Sequence, residues 1–334
     1  MKDRSQSGAQ MAKGNILFIT WSRLGDALLS NGLLDHLAKT VPNARITVAC
    51  GPVAAELYRD APGVVHVHVM RKGPRAKHWR ELWWLAVKTR WEYVVDLRSS
   101  AIAYTLWAKH RKVFKGTDDN IHKAAQVADL FGVMPQPATA WASAALVENV
   151  SKEFPSAPLI AIGPTANWHG KQWPGERFAV LAHRLIAPDG PFAGHRVLVL
   201  GGPGEEDRAA PVLKALGDNA VDLVGKLTPR ETFAALTRAR FFIGNDSGLM
   251  HMACAARLPT VALFGPSNEA IYGPFGVPHR VVRGKAYAEI TGAPDYVSHG
   301  PHLCYMEDIT TEMVLAATVD LAQECGLLGA AELE

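Results

Sequence analysis

Four short stretches of this chain place charged, hydroxyl-bearing and small residues where an apolar run gives way to a helical pattern. The first is Trp21-Ser22-Arg23-Leu24-Gly25-Asp26, which follows the run Asn15 to Thr20. A carboxylate in the first turn of a helix is favoured by the dipole by roughly 0.3–1 kcal/mol. An ionised Asp there can take a proton from a hydroxyl, so Asp26 is a candidate general base. The same position also suits a plain helix cap. Gly25 is expected to allow a tight strand-to-helix turn.

The second stretch runs from Gly163 through Pro164, Thr165, Ala166, Asn167, Trp168, His169, Gly170, Lys171, Gln172 and Trp173 to Pro174. Six residues separate its glycines and Gln172 follows Lys171, which fails the phosphate-loop pattern and argues against an ATPase of that kind. Lys171 is expected to be a mobile cation able to balance a diphosphate; a solvated surface lysine is the alternative. The third stretch, Phe241 to His251, reads FFIGNDSGLMH. Successive N–H groups at a helix start bind anions, Ser247 and Gly248 admit a phosphate closely, and His251 lies one turn on, on the side of Ser247. The structural alternative is capping by Asp246 or Ser247, with His251 in the core. The fourth, Gly201-Gly202-Pro203-Gly204-Glu205-Glu206-Asp207, offers an acid that can accept hydrogen bonds from ribose hydroxyls, or simply acids at a helix start. Its glycine spacing is not that of a dinucleotide fold, which argues against NAD.

Between Arg71 and Arg90 stand seven basic residues, Arg71, Lys72, Arg75, Lys77, Arg80, Lys88 and Arg90, against one acid, with Trp79, Trp83 and Trp84 among them. Such a stretch suits anionic lipid headgroups; the alternative is a solvated helix with its Trp rings in the core. No nucleic-acid-binding signature accompanies it. His66 and His68 share one face of a strand and read as structural rather than as metal ligands.

These stretches need scaffolding, and the remaining sequence supplies it. Apolar, β-rich runs at 15–20, 45–49, 64–69 and 93–96 alternate with helical patterns, the first of which carries Leu28, Leu29, Leu33, Leu34 and Leu37 on one face. The rhythm restarts at 159–163, 197–200, 221–224, 241–243 and 260–264. This is α/β organisation with parallel strands. Pro135, Pro137, Pro155 and Pro158 mark an aperiodic connection. The expected division is a polar tail at 1–14, a Rossmann-like domain at 15–150 and a second at 151–334. Met313, Leu315, Val319 and Leu321 mark a terminal helix that packs back on the second domain. Two doubly wound domains in tandem are expected to face a central cleft, with ligands outside the carboxyl ends of the strands.

Composition excludes several classes. With 334 residues, 48% of them apolar and 20% charged, the chain is neither fibrous nor disordered. No run approaches the ~18 apolar residues of a membrane span, and the run after the polar start is too short for a signal peptide, so a cytoplasmic location is expected. Four scattered cysteines give neither a disulfide scaffold nor a zinc site. The two Asn-X-Ser matches, at Asn149 and Asn245, need secretion to matter and are read as chance. Net charge is uneven: residues 1–150 hold 20 Lys+Arg against 12 Asp+Glu, or +8, and residues 151–334 hold 15 against 20, or −5. The positive half suits an anionic substrate or surface.

Taken together, SRLGD (22–26), GKQWP (170–174), GGPGEE (201–206), NDSGLMH (245–251) and LFGPSN (263–268) resemble the ADP-heptose lipopolysaccharide heptosyltransferases of glycosyltransferase family 9, in order and spacing from about Asn15 to Cys325. The resemblance implies a GT-B fold of two Rossmann-like domains, with the acceptor on the first and the nucleotide-sugar on the second. It implies metal-independent transfer with inversion at the anomeric carbon and no cofactor. Asp26 would be the catalytic base and Lys171 the phosphate-side cation. The donor would lie at Thr165, Glu205, Asp246, Ser247, Gly248 and His251, with Glu205 on the ribose. The acceptor would meet Arg71, Arg75, Lys77 and Arg98, the last in Arg98-Ser99-Ser100, where many relatives carry a glycine. The implied partners are ADP-heptose or a similar donor, a lipopolysaccharide core or lipid A acceptor, and the anionic inner face of the membrane. An epimerase or hydrolase of similar fold, turning over without acceptor, and a noncatalytic nucleotide-sugar or anionic-lipid binder are the competing readings.

Overall fold

The computed structural model describes residues 14–116, 118–294, 296–298, 300 and 303–328. The polar tail expected at 1–14 lies, apart from Gly14, outside them. The chain divides into two compact units, one running to Trp141 and the other beginning at Ala142.

In the first unit β1 (Asn15–Ile19), β2 (Arg45–Cys50), β3 (Val64–Val69), β4 (Trp91–Asp96) and β5 (Ala108–Val113) form one sheet in the order β3-β2-β1-β4-β5. Every pairing is parallel, with Phe18 opposite Val48 and Val95. Parallel order places all carboxyl ends on one edge, which is where the loops after β1, β3 and β4 emerge. Helix α1 (Leu24–Thr40) buries Leu28, Leu29, Leu33, Leu34 and Leu37, the face expected from their spacing. It stops at Val41, whose backbone turns extended before Pro42. Helices α2 (Lys77–Ala86) and α3 (Ile102–Thr105) cover one face of the sheet, Leu82 and Ala86 sharing a core with Leu17, Val94, Ala103 and Leu106. A last helix, α4 (Lys123–Asp129), begins under the side chain of His122, which accepts from the Ala124 N–H.

The segment from Pro135 to Pro158 is not one connection. Its beginning lies on α1: Asn31 donates to the Thr139 carbonyl at 2.9 Å, and a Cβ on Gly32 would come within 2.7 Å of Gln136. Its middle is a helix, α5 (Ala144–Ser151), started by Ser143 and packed on α8 (Pro229–Leu236) of the second unit. A position near residue 150 therefore falls inside a helix.

The second sheet holds β6 (Leu159–Gly163), β7 (Arg196–Val199), β8 (Ala220–Asp222), β9 (Phe242–Asn245), β10 (Thr260–Leu263) and β11 (His279–Val282) in the order β11-β10-β9-β6-β7-β8, again all parallel. Helices α6 (Gly175–Ile186), α7 (Glu206–Leu216) and α9 (Gly248–Ala255) follow β6, β7 and β9. A terminal helix, Thr311–Glu324, packs on the second core through Val314, Thr318, Leu321 and Ala322. Met313 is exposed rather than part of that face, because it sits one position off the buried stripe.

Strands β5 and β11 were not apparent from periodicity. Each is a sheet edge, and β5, Ala108-Lys109-His110-Arg111-Lys112-Val113, carries four basic side chains. Edge strands tolerate such charge because one side meets water.

Candidate functional site

In the first unit the loop after β1 ends at Arg23, whose extended backbone (φ −80°, ψ 142°) starts α1 without a side-chain cap. Asp26 is the third residue of the helix, half-buried, and so is not the cap. Gly25 lies within the first turn and has no positive φ, so it is not the turning residue. The close approach here is made by Gly51 after β2, where a Cβ would stand 2.6 Å from the Ser22 Cβ.

A cation that the motifs did not indicate lies beside Asp26. Lys123, only 4% exposed, holds its Nζ 4.6 Å from the ring of Trp21 and 4.4 Å from that of Phe114. The two rings meet edge to face at 5.5 Å. Burial pushes the Lys123 ammonium below its ordinary value, and the charge of Asp26 works in the opposite direction. No local pattern marks this lysine, since its partners come from β1, β5 and their loops.

The loop after β4 is organised by Asp96, which is fully buried and accepts from the N–H groups of Arg98 and Ser100 at 2.8 Å and from Ser100 Oγ at 2.5 Å. Ser99 between them takes φ 55°, the left-handed region that favours glycine, and donates to the Phe114 carbonyl. Arg98 stacks on Trp79 at 4.7 Å and reaches the Met70 sulfur at 3.6 Å. Desolvation lowers its pKa, partly offset by Asp96. Arg71, Arg75 and Lys77 are exposed around the end of β3, Lys77 lying 3.7 Å from Glu81. Arg75 and Ala76 both take left-handed backbone, φ 51° and 55°. The basic stretch is thus divided along α2, with Arg71, Arg75 and Lys77 at the carboxyl end of the sheet and Lys88 and Arg90 at the other.

In the second unit the neighbouring strands β9, β6 and β7 bring the other motifs to one edge. Asn245, fully buried at the end of β9, donates to the Pro164 carbonyl at 2.9 Å and accepts from the Trp173 N–H at 3.1 Å. It thereby fixes both ends of the loop after β6. Trp173 is anchored in turn on the Ile309 carbonyl at 2.8 Å, and Trp168 on that of Gly300 at 3.0 Å. Within this frame Lys171 Nζ donates to the Asp246 carboxylate at 2.6 Å. Lys171 is thus paired with a carboxylate and only partly solvated, with its side chain 25% exposed and that of Asp246 5%. Burial pushes the Asp246 carboxyl up, but Lys171, its hydrogen bond and nearby His251 outweigh this and hold it below the ordinary carboxylate range.

Ser247 begins α9 through its backbone, with no side-chain cap, and its buried Oγ has no hydrogen-bond partner among the described residues. The Ser247 side chain therefore does not cap this helix, while the burial of His251 agrees with the structural alternative. His251 is 4% exposed, and its N–H bonds the Ser247 carbonyl at 3.4 Å. Glu205 does not cap α7 with its side chain: its Oε2 accepts from Thr165 Oγ1 at 2.6 Å and from the Gly202 N–H at 2.7 Å, its Oε1 lies 3.9 Å from Arg208 of that helix, and Glu206 and Asp207 occupy the first helical turn. Lys171, Asp246, Ser247, Gly248 and His251 thus form one group, and Thr165 with Glu205 another, on adjacent strand ends. Arg283, just beyond β11, donates to the Gly265 and Ser267 carbonyls at 2.6 and 3.0 Å and pairs with Glu269 at 3.2 Å. It holds the FGPSN loop and was not foreseen, since β11 itself was not. Among the described residues no three His, Cys, Asp or Glu side chains gather in a way that could hold a metal ion.

Comparison with known proteins places these features in context. Residues 75–292 match the model of glycosyltransferase family 9 (heptosyltransferase). The chain is 25% identical over 342 residues to lipooligosaccharide heptosyltransferase 2 of Haemophilus influenzae, covering 90% of this chain and 97% of that protein. It is 31% identical over 131 residues to lipopolysaccharide heptosyltransferase 2 of Salmonella typhimurium, covering 38% and 36%. Among solved structures, the family 9 glycosyltransferase of Veillonella parvula superposes with a TM-score of 0.75 at 22% identity, covering 94% of this chain and 98% of that one. ADP-heptose LPS heptosyltransferase II of E. coli gives 0.72 at 23% identity, covering 93% and 99%.

Proposed function

The chain belongs to glycosyltransferase family 9 and has the GT-B fold of its members, and from that premise we propose that it moves heptose from ADP-heptose to an inner-core acceptor of lipopolysaccharide, with inversion and without a metal. The observation that carries the donor side of this reading is the start of α9. A buried Ser247 hydroxyl, without a partner among the described residues, stands beside the Lys171–Asp246 pair, where a helix dipole and uncapped backbone favour a diphosphate. An E. coli heptosyltransferase of similar fold has been solved with ADP-2-deoxy-2-fluoro heptose, which supports an ADP-linked donor here.

In the proposed reaction the acceptor hydroxyl oxygen forms a bond to the anomeric carbon as the bond from that carbon to the diphosphate breaks. The electron pair leaves with ADP, and Asp26 receives the hydroxyl proton. A single displacement inverts the anomeric centre. Lys171 and the N–H groups at the start of α9 stabilise the charge that grows on the diphosphate. Glu205, already a hydrogen-bond acceptor for Thr165 and Gly202, takes the ribose hydroxyls. Arg71, Arg75, Lys77 and Arg98 meet the anionic acceptor. That acceptor is lipid-anchored, so the enzyme works at the cytoplasmic face of the inner membrane; none of the described helices is long and apolar enough to cross one.

The test is product analysis by mass spectrometry after incubation with ADP-heptose and truncated core acceptors. Acceptor-dependent mass gain with ADP release, strongly slowed in Asp26→Asn, is expected. Heptose release without acceptor defeats the transferase reading.

A further inference from the structure

Resting on that reading and extending it, we propose that the outward face of α2 and α3 is the surface by which the enzyme docks on an anionic bilayer. The solvent side of α2 carries Lys77, Arg80, Glu81, Trp84 and Leu85 and continues to Lys88. That spacing, i, i+3, i+4, i+7, i+8, i+11, is one stripe of a helix. The three Trp residues of this stretch divide between two faces. Trp79 and Trp83 pack toward the core, whereas Trp84 is 67% exposed. Next to it Leu85 is 41% exposed, and the α3 segment adds Tyr104 at 68% and Trp107 at 67%.

Both helices bury their inner sides in one core on one face of the sheet, so their outer sides belong to one surface. Arg90 lies 5.3 Å over the Trp107 ring, which joins cation to aromatic at that surface. Arg80, Lys88 and Arg90 flank the rings, and the single acid of the stripe, Glu81, stands 3.7 Å from Lys77. Large apolar side chains left in water and fringed by cations are the pattern of a helix lying in a membrane interface: the rings enter the headgroup boundary and the cations meet anionic phosphates. A protein partner would be expected to leave less unopposed positive charge. The first 150 residues, at +8, add a field of the same sign. A sheet resting on the bilayer through this face keeps its strand ends, with Arg71 and Arg75, level with the headgroups, where a lipid-anchored saccharide is presented.

Sedimentation of the full chain with vesicles tests this, using phosphatidylcholine alone and phosphatidylcholine mixed with phosphatidylglycerol, neither containing acceptor. The protein is expected to prefer the anionic vesicles, with Trp84→Ala plus Trp107→Ala losing on the order of tenfold in partitioning. Arg80→Glu plus Lys88→Glu is expected to lose at least about 20-fold, at roughly fivefold per charge removed. Both variants should keep their circular dichroism and their turnover on a deacylated, water-soluble acceptor, and lose turnover on vesicle-borne acceptor. Unchanged vesicle binding in both variants overturns the proposal. So does a wild-type chain that ignores vesicles but self-associates, and becomes monomeric in the Trp variant. Absence of transfer to any acceptor together with intact, Trp84-dependent vesicle binding defeats the proposed function and leaves the surface standing.

Discussion

The two units hold their ionised groups differently. In the first, Asp26 stands half-buried in an uncapped helical turn, and the cation beside it, Lys123, is caged between the rings of Trp21 and Phe114. In the second, the acid is the buried member: Asp246 is gripped at 2.6 Å by Lys171, whose side chain keeps a quarter of its surface in water. A base must reach solvent or substrate to exchange protons, whereas a phosphate site needs positive charge that is already oriented. The contrast fits the proposed division of labour, with proton transfer in the first unit and charge stabilisation in the second. Asp96 sharpens it further, as its carboxylate is spent on three hydrogen bonds from its own turn and is free for neither task.

The largest effect expected is at Asp26. Asp26→Asn should lower the transfer rate by about 10²–10⁴, the range for a general base, while ADP binding measured by calorimetry stays near the wild-type value. Normal turnover in this variant breaks the comparison outright.

Lys171→Met should lower kcat by about 10²–10³ through lost stabilisation of the leaving diphosphate. It should also cost about 2 kcal/mol of stability at neutral pH, below the ~3–5 typical of a broken buried pair because Lys171 is partly exposed. The sign with pH follows from the depressed Asp246 carboxyl. In the wild-type protein its contribution is full above the ordinary carboxylate pKa and fades as acid protonates the folded state. Without Lys171 the cost of burial is opposed only by His251 and the Ser267 hydrogen bond, so the deficit of the variant should shrink as pH falls toward 4 (roughly the ordinary carboxylate value). Melting curves across pH read this directly, and Lys171→Met with Asp246→Asn should recover stability without recovering kcat.

Glu205→Gln tests the neighbouring strand end. KM for the ADP-sugar should rise about tenfold with kcat nearly unchanged, and the penalty should vanish with a donor lacking the ribose hydroxyls. An equal penalty with both donors would make Glu205 a brace for Thr165 and Gly202 only. The smallest effect belongs to Ser247→Ala: ADP affinity falls about threefold to tenfold while stability stays level or rises slightly, because a buried hydroxyl without a partner is removed. A loss of stability would show that the hydroxyl has a structural bond.

Much of the architecture was legible because parallel α/β folds write it into hydrophobic period. The leucines of α1 and the apolar runs of nine strands each declared their element. The edge strands β5 and β11 stayed hidden, since partial solvation removes the need for that period. The same logic divides the site. The acid of SRLGD and the polar run of NDSGLMH are local, so type and spacing exposed them. Lys123 and Arg283 act through rings, carbonyls and carboxylates far away in the chain, and their own surroundings in sequence are unremarked.

What the amino-acid order alone determined was which residues could do chemistry and on which strand ends they would sit, because alternation and helical period are properties of neighbours. Which of them are engaged was decided by the tertiary fold. Only the assembled sheets put Lys171 on Asp246, set the Glu205 carboxylate against Thr165, and sent Trp79 inward and Trp84 outward. The reason is that pairing and burial depend on distance in space, and parallel strands joined by helices bring together side chains that lie as far apart in the chain as Lys171 and Asp246.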